Sequence, residues 1–116
     1  MILPKRGEIW TVNLDPTVGH KIKKSRPSVI IQNNIGNEIA PTTIIAPLTT
    51  KSFSKEYPSN VNLPKGTGGL KSDSTVLLSQ IRTLDKTRLE EKIGSLPENY
   101  LIRVDHAIKI SLGLGN

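Results

Sequence analysis

The sequence predicts a mainly β domain, a small, compact barrel of five or six short strands closed by one C-terminal amphipathic helix. Two observations lead to this fold class. Through most of the chain, apolar residues alternate with polar ones or gather in short β-branched runs, as in strands that pack on a core. Only the C-terminal segment places its apolar residues at helical spacing. Short strands separated by polar, turn-rich segments are typical of small barrels.

The first predicted strand is Glu8–Leu14, in which apolar and polar residues alternate. This alternation places Trp10, Val12 and Leu14 on one face of a half-buried strand. Residues 15–17 read Asp-Pro-Thr and predict a turn directly after it.

Two further strands are predicted before residue 50. Ser28–Gln32 contains a continuous β-branched run, which indicates a central strand covered on both faces. The amide-rich segment Asn33–Asn37 predicts a turn, and Thr42–Ala46 predicts the third strand. Pro47 cannot donate to a sheet ladder, so we expect a bulge or a sheet edge near Thr49.

The second half begins with a long polar segment. Residues 50–69 are rich in Ser, Lys, Gly and Pro, and their length indicates a functional or a disordered loop with one short strand at Val61–Leu63. We expect the glycine-rich part, Gly66–Gly69, to be flexible. Thr75–Leu84 then alternates along its whole length and predicts the longest strand, followed by a last strand over Leu89–Ile93.

The C-terminal helix has both a start and a stop signal. Ser95 and Glu98 have the spacing of a capping box, with the serine as N-cap. Gly113 is expected to end the helix. The apolar stripe between these signals consists of Leu101, Val104, Ile108 and Leu112.

Composition limits the class of protein. A chain of 116 residues is the size of one domain, and it contains no internal repeat, so we predict a single domain over residues 1–116. It has no Cys and hence no disulfide or thiolate metal site. Its apolar runs are far too short to span a bilayer, and no signal-peptide pattern follows Met1. We expect a soluble, cytoplasmic protein.

The charge suggests a partner. Sixteen Lys and Arg residues against ten Asp and Glu give a net charge of +6, which suits either a polyanionic ligand or a surface kept soluble by positive charge. The basic residues cluster, which favours the polyanion. Four fall within six positions, with His20 adjoining them: Lys21, Lys23, Lys24 and Arg26.

Several kinds of site are not expected. The chain has no phosphate-binding P-loop and no dinucleotide-binding glycine turn. Its two histidines, His20 and His106, lie eighty-six positions apart (106 minus 20) with no ligand at metal-binding spacing, so no metal site is predicted. His106 is interpreted as a solvated helix residue. His20 is either a plain loop residue or part of the basic loop's function.

Three polar residues remain as candidates. Arg26 lies at a loop-to-strand junction and could bind a phosphate with its planar, permanently charged group, or form a surface ion pair. Thr49 could hydrogen-bond a phosphoryl oxygen, or stand there for its β propensity. Gln80 could read a base, or be a satisfied core amide. Residue chemistry alone therefore supports nucleic-acid binding and leaves catalysis open.

Four segments, in order along the chain, carry a resemblance. They read GEIWTVNLDPTVG from Gly7, RPSVIIQN from Arg26, TTIIAPLT from Thr42 and DSTVLLSQIRTLDK from Asp73. Together they resemble the MazF/PemK family of toxin ribonucleases. The resemblance implies an SH3-like small β-barrel of the CcdB/PemK class, with a C-terminal amphipathic helix, that forms a homodimer and uses no cofactor or metal.

The resemblance also implies a function. It is that of the toxin of a type II toxin–antitoxin system, an mRNA interferase that cleaves single-stranded RNA sequence-selectively. The ribose 2′-OH attacks the neighbouring phosphate and leaves 2′,3′-cyclic phosphate and 5′-OH ends. Arg26 and Thr49 match the family's catalytic Arg and Thr. The implied protein partner is a MazE-like antitoxin with an acidic, disordered tail.

The resemblance and the basic loop together indicate the residues that contact RNA: Gly19, His20, Lys21, Lys23, Lys24, Asn33, Gln80 and Arg82. The family usually has Gly-x-Glu at the position of Gly19-His20-Lys21, so Lys21 here stands in place of an acid. Some members also have an acidic residue where this chain has Ser79. The general base therefore stays open, because Arg26 remains protonated.

Two other functions stay open at this point. One is a non-enzymatic toxin of the same barrel fold that binds a protein target such as gyrase. The other is a catalytically impaired barrel that binds RNA without cutting it, which the change to Lys21 makes conceivable.

Overall fold

The fold was analysed in a computed structural model, which describes residues 3–14 and 25–115. These residues form seven strands and two α-helices. The strands are β1 (Glu8–Asn13), β2 (Ser25–Ile30), β3 (Thr42–Thr49), β4 (Asn60–Leu63), β5 (Ser74–Leu77), β6 (Arg82–Asp85) and β7 (Leu89–Ser95). The helices are α1 (Asn34–Ile39) and α2 (Glu98–Leu112).

The strands form one antiparallel sheet in the order β4-β5-β3-β2-β1-β7, with β6 also paired to β3. β3 is the central strand. One of its edges pairs with β2, while the other pairs with β6 over Thr42–Ile45 and with β5 over Leu48–Thr49. This arrangement confirms the mainly β class with a C-terminal helix.

The sheet buries apolar residues on both faces, since successive side chains of a strand point to opposite sides. Val29 belongs to the larger core, which α2 covers with Val104, whereas Ile30 belongs to the smaller core. Trp10 and Leu14 pack on that smaller core. Its buried members are Val12, Ile30, Ile45, Leu84 and Leu89. The predicted face of β1 and the two-sided burial of β2 are therefore confirmed.

The predicted single strand over Thr75–Leu84 is wrong in its middle. The chain leaves the sheet at Leu78–Gln80 as a 3-10 turn, which separates β5 from β6. Leu78 is fully buried in the larger core, and its carbonyl oxygen accepts a hydrogen bond from the Ser111 hydroxyl at 2.8 Å. The buried Leu78 side chain, this bond and a second one, from the Leu78 N–H to the Ser59 carbonyl at 3.0 Å, fix the segment.

Of the bulge and the sheet edge expected near Thr49, the sheet edge is wrong. β3 continues through Pro47 to Thr49, and Pro47 is paired with Ser28 of β2. On the opposite side of β3, however, the paired residues stop at Ile45 and resume at Leu48. The break thus coincides with the residue that has no N–H to donate.

The turn expected over Asn33–Asn37 is the start of α1. Asn33 is its N-cap, and the Asn33 side chain accepts a hydrogen bond from the Gly36 N–H at 2.8 Å. Asn37 is buried, where its Oδ1 accepts from the Thr43 hydroxyl at 2.7 Å and its Nδ2 donates to the Gln32 carbonyl at 2.9 Å. These tertiary bonds stabilise a helical turn in an amide-rich segment.

The glycine-rich segment is packed rather than flexible. Thr67–Gly69 forms a 3-10 turn against β7. A Cβ atom added at Gly94 of β7 would lie 2.2 Å from the Gly68 carbonyl oxygen, so the two backbones are in direct contact. Gly68 also has a φ of +57°, which favours glycine.

The start of α2 differs from the predicted capping box. Ser95 lies in β7, and the N-cap is Pro97, which makes no side-chain hydrogen bond. The predicted end is confirmed, since Gly113 adopts a φ of +69°. Leu112 is 53% exposed because the line of contact with the core passes through Ala107 and Ser111. Neither described helix is long and apolar enough to cross a bilayer.

Candidate functional site

The sheet brings Arg26 and Thr49 to corresponding positions on adjacent strands. Ser28 of β2 is paired with Pro47 of β3. Continuing this antiparallel register by two residues on each strand puts Arg26 level with Thr49. Since side chains alternate along a strand, both residues belong to the same face of the sheet as the Ser28–Pro47 pair.

Arg26 is the second residue of β2, where it is paired with Val12 of β1. Its side chain is exposed. Within residues 3–14 and 25–115, no carboxylate lies at ion-pair distance from its guanidinium. The exposed planar cation matches a phosphate, which it can bind bidentately.

Thr49 ends β3 and is half-buried. Its Oγ1 accepts a hydrogen bond from the backbone N–H of Lys51 at 3.1 Å. Because the oxygen is the acceptor in this bond, the hydroxyl proton stays free to be donated elsewhere. Thr49 can thus donate a hydrogen bond from the strand position level with Arg26.

A row of polar side chains continues from Thr49 across the sheet. Thr49 is paired with Thr75 of β5, and Thr75 is paired with Asn62 of β4. The Thr75 hydroxyl donates to Asn62 Oδ1 at 3.0 Å. Arg26, Thr49, Thr75 and Asn62 therefore form one row over four adjacent strands, which we call the polar row. Sequence reasoning missed Thr75 and Asn62, because only the strand register aligns them.

Arg82 lies on the same face as this row. It is exposed on β6 and paired with Ile45, which precedes Thr49 by four residues on β3. That separation corresponds to about 13 Å along the strand. Gln80 is exposed in the 3-10 turn just before β6, so the expectation that it lies inside an apolar strand is wrong. Exposure leaves its amide free to face a ligand.

Asn33 does not lie beside Arg26 and Thr49. It follows the opposite end of β2, and its side chain caps α1. The remaining predicted contacts, Gly19, His20, Lys21, Lys23 and Lys24, lie outside the described residues. His106 is exposed on α2, as predicted. Among the described residues, no three His, Asp or Glu side chains are grouped as they would be to hold a metal ion.

The sequence as a whole matches the family model for the PemK-like, MazF-like toxin of type II toxin–antitoxin systems over residues 5–112. The chain belongs to this family. The prediction drawn from its four sequence segments is therefore confirmed.

Two MazF-like relatives show how far the similarity extends. The chain is 45% identical to a protein named Endoribonuclease MazF from Staphylococcus epidermidis over 112 residues, 97% of this chain and 93% of that one. It is 40% identical to a protein named Endoribonuclease EndoA from Bacillus subtilis (strain 168) over 113 residues, 97% of each chain. The whole domain is shared, not only the site.

A solved structure confirms the MazF-like fold. The fold of this chain is similar to that of one chain in a solved structure, the MazE-MazF complex (Form-II) from Deinococcus radiodurans, with a TM-score of 0.81 at 26% identity. The similarity covers 99% of this chain and 100% of that one. The barrel-like sheet and its C-terminal helix are thus the family's own architecture.

Proposed function

We propose that this MazF-like toxin is a sequence-selective, metal-independent endoribonuclease that cleaves single-stranded mRNA in the cytoplasm. The observation that carries the proposal is the position of Arg26 and Thr49, an exposed cation and a hydroxyl on one face of adjacent strands. The two relatives named endoribonucleases support the same class of activity.

The reaction is a transesterification within the RNA chain. The ribose 2′-oxygen forms a bond to the neighbouring phosphorus while the bond from phosphorus to the 5′-oxygen breaks. The 2′-OH loses its proton to a base, and the leaving 5′-oxygen gains one. The products are a 2′,3′-cyclic phosphate and a 5′-OH end.

Arg26 and Thr49 stabilise the charge that develops on phosphorus-bound oxygens. The Arg26 guanidinium binds the anionic phosphate, and the Thr49 hydroxyl donates to a phosphoryl oxygen. Both groups are held by strands, so little reorganisation is needed during the reaction. Exposed Gln80 and Arg82 extend the binding face, since unpaired bases offer their edges to amide and guanidinium groups.

The test is cleavage of a long mixed-sequence RNA in EDTA, with mapping of the new 5′-OH ends. We expect Arg26→Ala and Thr49→Val each to lower kcat by about 10²–10³-fold, the usual effect of removing one donor from a charge-stabilising site. Thr49→Ser keeps the hydroxyl and is the matched control, which should retain most activity. Full cleavage by both Arg26→Ala and Thr49→Val would refute the site. RNA binding without new ends in the wild type would indicate an RNA-binding barrel instead.

The proposal includes two protein partners. The toxin forms a homodimer, and a MazE-like antitoxin with an acidic, disordered tail competes with RNA for the basic face. The net charge of +6 favours such a tail, and the similar solved fold is from a MazE-MazF complex. Competition is measured by titrating a labelled RNA complex with the antitoxin tail.

A further inference from the structure

A cleft of about 930 Å³ lies where the polar row reaches the edge of the sheet. Residues 50–58, the edge strand β4 and helix α2 surround it. Thr75 and Asn62, the last two members of the polar row, line it as well. Thr75 is one strand spacing, about 5 Å, from Thr49, and Thr50 and Lys51 also line the cleft, so the cleft begins beside the proposed catalytic hydroxyl.

Aromatic side chains are concentrated in this cleft. The chain has four aromatic residues, and Phe53, Tyr57 and Tyr100 all line it. The rings of Phe53 and Tyr57 meet edge to face with centroids 6.0 Å apart, and they are 38% and 48% exposed. Lys51 Nζ lies 5.9 Å from the Phe53 ring centre, and the Arg103 guanidinium lies 5.4 Å from that of Tyr100. Exposed rings beside cations are the usual elements of a single-strand binding surface.

The charge of the lining favours an anion. Lys51, Lys55 and Arg103 contribute three positive charges, and Glu56 and Asp73 contribute two negative ones, which leaves a net charge of +1. Asp73 is also engaged, because its carboxylate accepts the backbone N–H of Lys65 at 2.7 Å. A ligand with both flat rings and phosphates matches the aromatic rings and the cations of this lining.

We infer that this cleft binds a nucleotide of the single-stranded substrate that lies beyond the cleaved phosphate. Its base stacks on the exposed ring of Phe53 or Tyr57, and Arg103 of α2 contacts its phosphate. The inference rests on the proposed function, since the polar row leads from the proposed catalytic pair into the cleft. It makes α2 a part of the substrate-binding surface and not only a cover for the core.

The test measures the affinity of uncleavable, 2′-O-methylated RNA for Arg103→Gln and for Lys109→Gln. Both variants remove one cation from α2, and Lys109 is exposed but does not line the cleft, so it is the matched control. For an oligonucleotide of about twelve nucleotides, we expect Arg103→Gln to raise Kd about fivefold or more. The slope of log K against log salt should shrink by about 0.7, the value for one phosphate contact with a single strand. Lys109→Gln should change Kd by less than about twofold and leave the salt slope unchanged.

Substrate length provides a second, independent comparison. A dinucleotide that contains only the cleaved bond has no nucleotide beyond it and should bind both variants alike. Extending it on its 5′ or its 3′ side identifies the strand direction, because only one extension restores sensitivity to Arg103→Gln. Phe53→Leu combined with Tyr57→Leu should weaken binding of the longer RNA about tenfold without changing the salt slope, since stacking releases no counterions.

The outcomes separate the inference from the proposed function. If the wild type cleaves RNA but Arg103→Gln binds it as Lys109→Gln does, the inference is wrong and the proposed function stands. If the wild type neither binds nor cleaves RNA, the proposed function is wrong, and the inference that rests on it is wrong as well. If Arg103→Gln weakens only an acidic antitoxin peptide, the cleft is a protein-binding site and the inference is overturned. Equal thermal unfolding of all variants shows that each comparison is between folded proteins.

Discussion

Glu8 shows how a single buried charge is held in this fold. It is 7% exposed at the start of β1. Lys92 Nζ lies 2.9 Å from its Oε2, and its Oε1 accepts from the Lys5 N–H at 2.8 Å and the Trp10 Nε1–H at 3.0 Å. Burial raises the pKa of Glu8, but these hydrogen bonds and the charge of Lys92 together hold that pKa below its ordinary value of 4.5.

The lowered pKa of Glu8 predicts a pH dependence of stability. A carboxylate whose pKa is depressed by folding contributes stability above its unfolded value of 4.5, and that contribution is lost as the pH falls through the folded pKa. We expect the urea midpoint of the wild type to fall below about pH 5, and Glu8→Gln to flatten this dependence. Glu91→Gln, which removes an exposed carboxylate from β7, is the matched control. An unchanged acid slope in Glu8→Gln would contradict the assignment.

Residue chemistry identified Arg26 and Thr49 as candidates but could not predict that they lie close together in the fold. Each is a common residue in an ordinary place, and only the antiparallel register of β2 and β3 puts them level. Thr75 and Asn62 could not be found from the sequence, because their alignment depends on which strands become neighbours. The resemblance to a toxin family, and not the chemistry of the single residues, predicted that Arg26 and Thr49 belong to one site.

Element boundaries were predictable where one local signal acts alone. The end of α2 at Gly113 follows from the conformation that glycine adopts easily. The break between β5 and β6 could not be read from the sequence, because Leu78 keeps the alternating pattern while its side chain anchors a 3-10 turn. The segment Asn33–Asn37 suits both a turn and a helix start, and the hydrogen bond from the Thr43 hydroxyl of β3 to Asn37 favours the helix.

The contact between the 3-10 turn at Thr67–Gly69 and β7 leads to a prediction about an element. A methyl group at Gly94 would overlap the Gly68 carbonyl oxygen, which is backbone and cannot rotate away. We expect Gly94→Ala to lower the free energy of unfolding by about 1–3 kcal/mol, the usual cost of overpacking. Gly115→Ala is the control, because nothing lies within 4 Å of a Cβ added there. Equal urea midpoints for the two variants would show that the turn does not pack on β7.

At the scale of the whole molecule, Arg6 connects the sheet, α1 and α2. Its Nη2 lies 2.6 Å from Asp105 of α2, ninety-nine positions away, and its Nε donates to the Ile31 carbonyl at 2.9 Å. Its backbone N–H donates to Asn34 Oδ1 at 2.7 Å. One side chain near the start of the chain thus holds the final helix against the sheet that carries the polar row.

The two partners of this ion pair should not contribute equally to stability. The side chains of Arg6 and Asp105 are 28% and 46% exposed, so solvent screens their attraction and Asp105→Ala should cost less than about 1 kcal/mol. Arg6→Ala also leaves the Ile31 carbonyl without its guanidinium donor, and we expect a cost of about 1–3 kcal/mol. Urea unfolding measures both, with Lys109→Ala as the control for losing an exposed cation from α2. If Asp105→Ala costs as much as Arg6→Ala, the ion pair rather than the bond to Ile31 accounts for the contribution of Arg6 to stability.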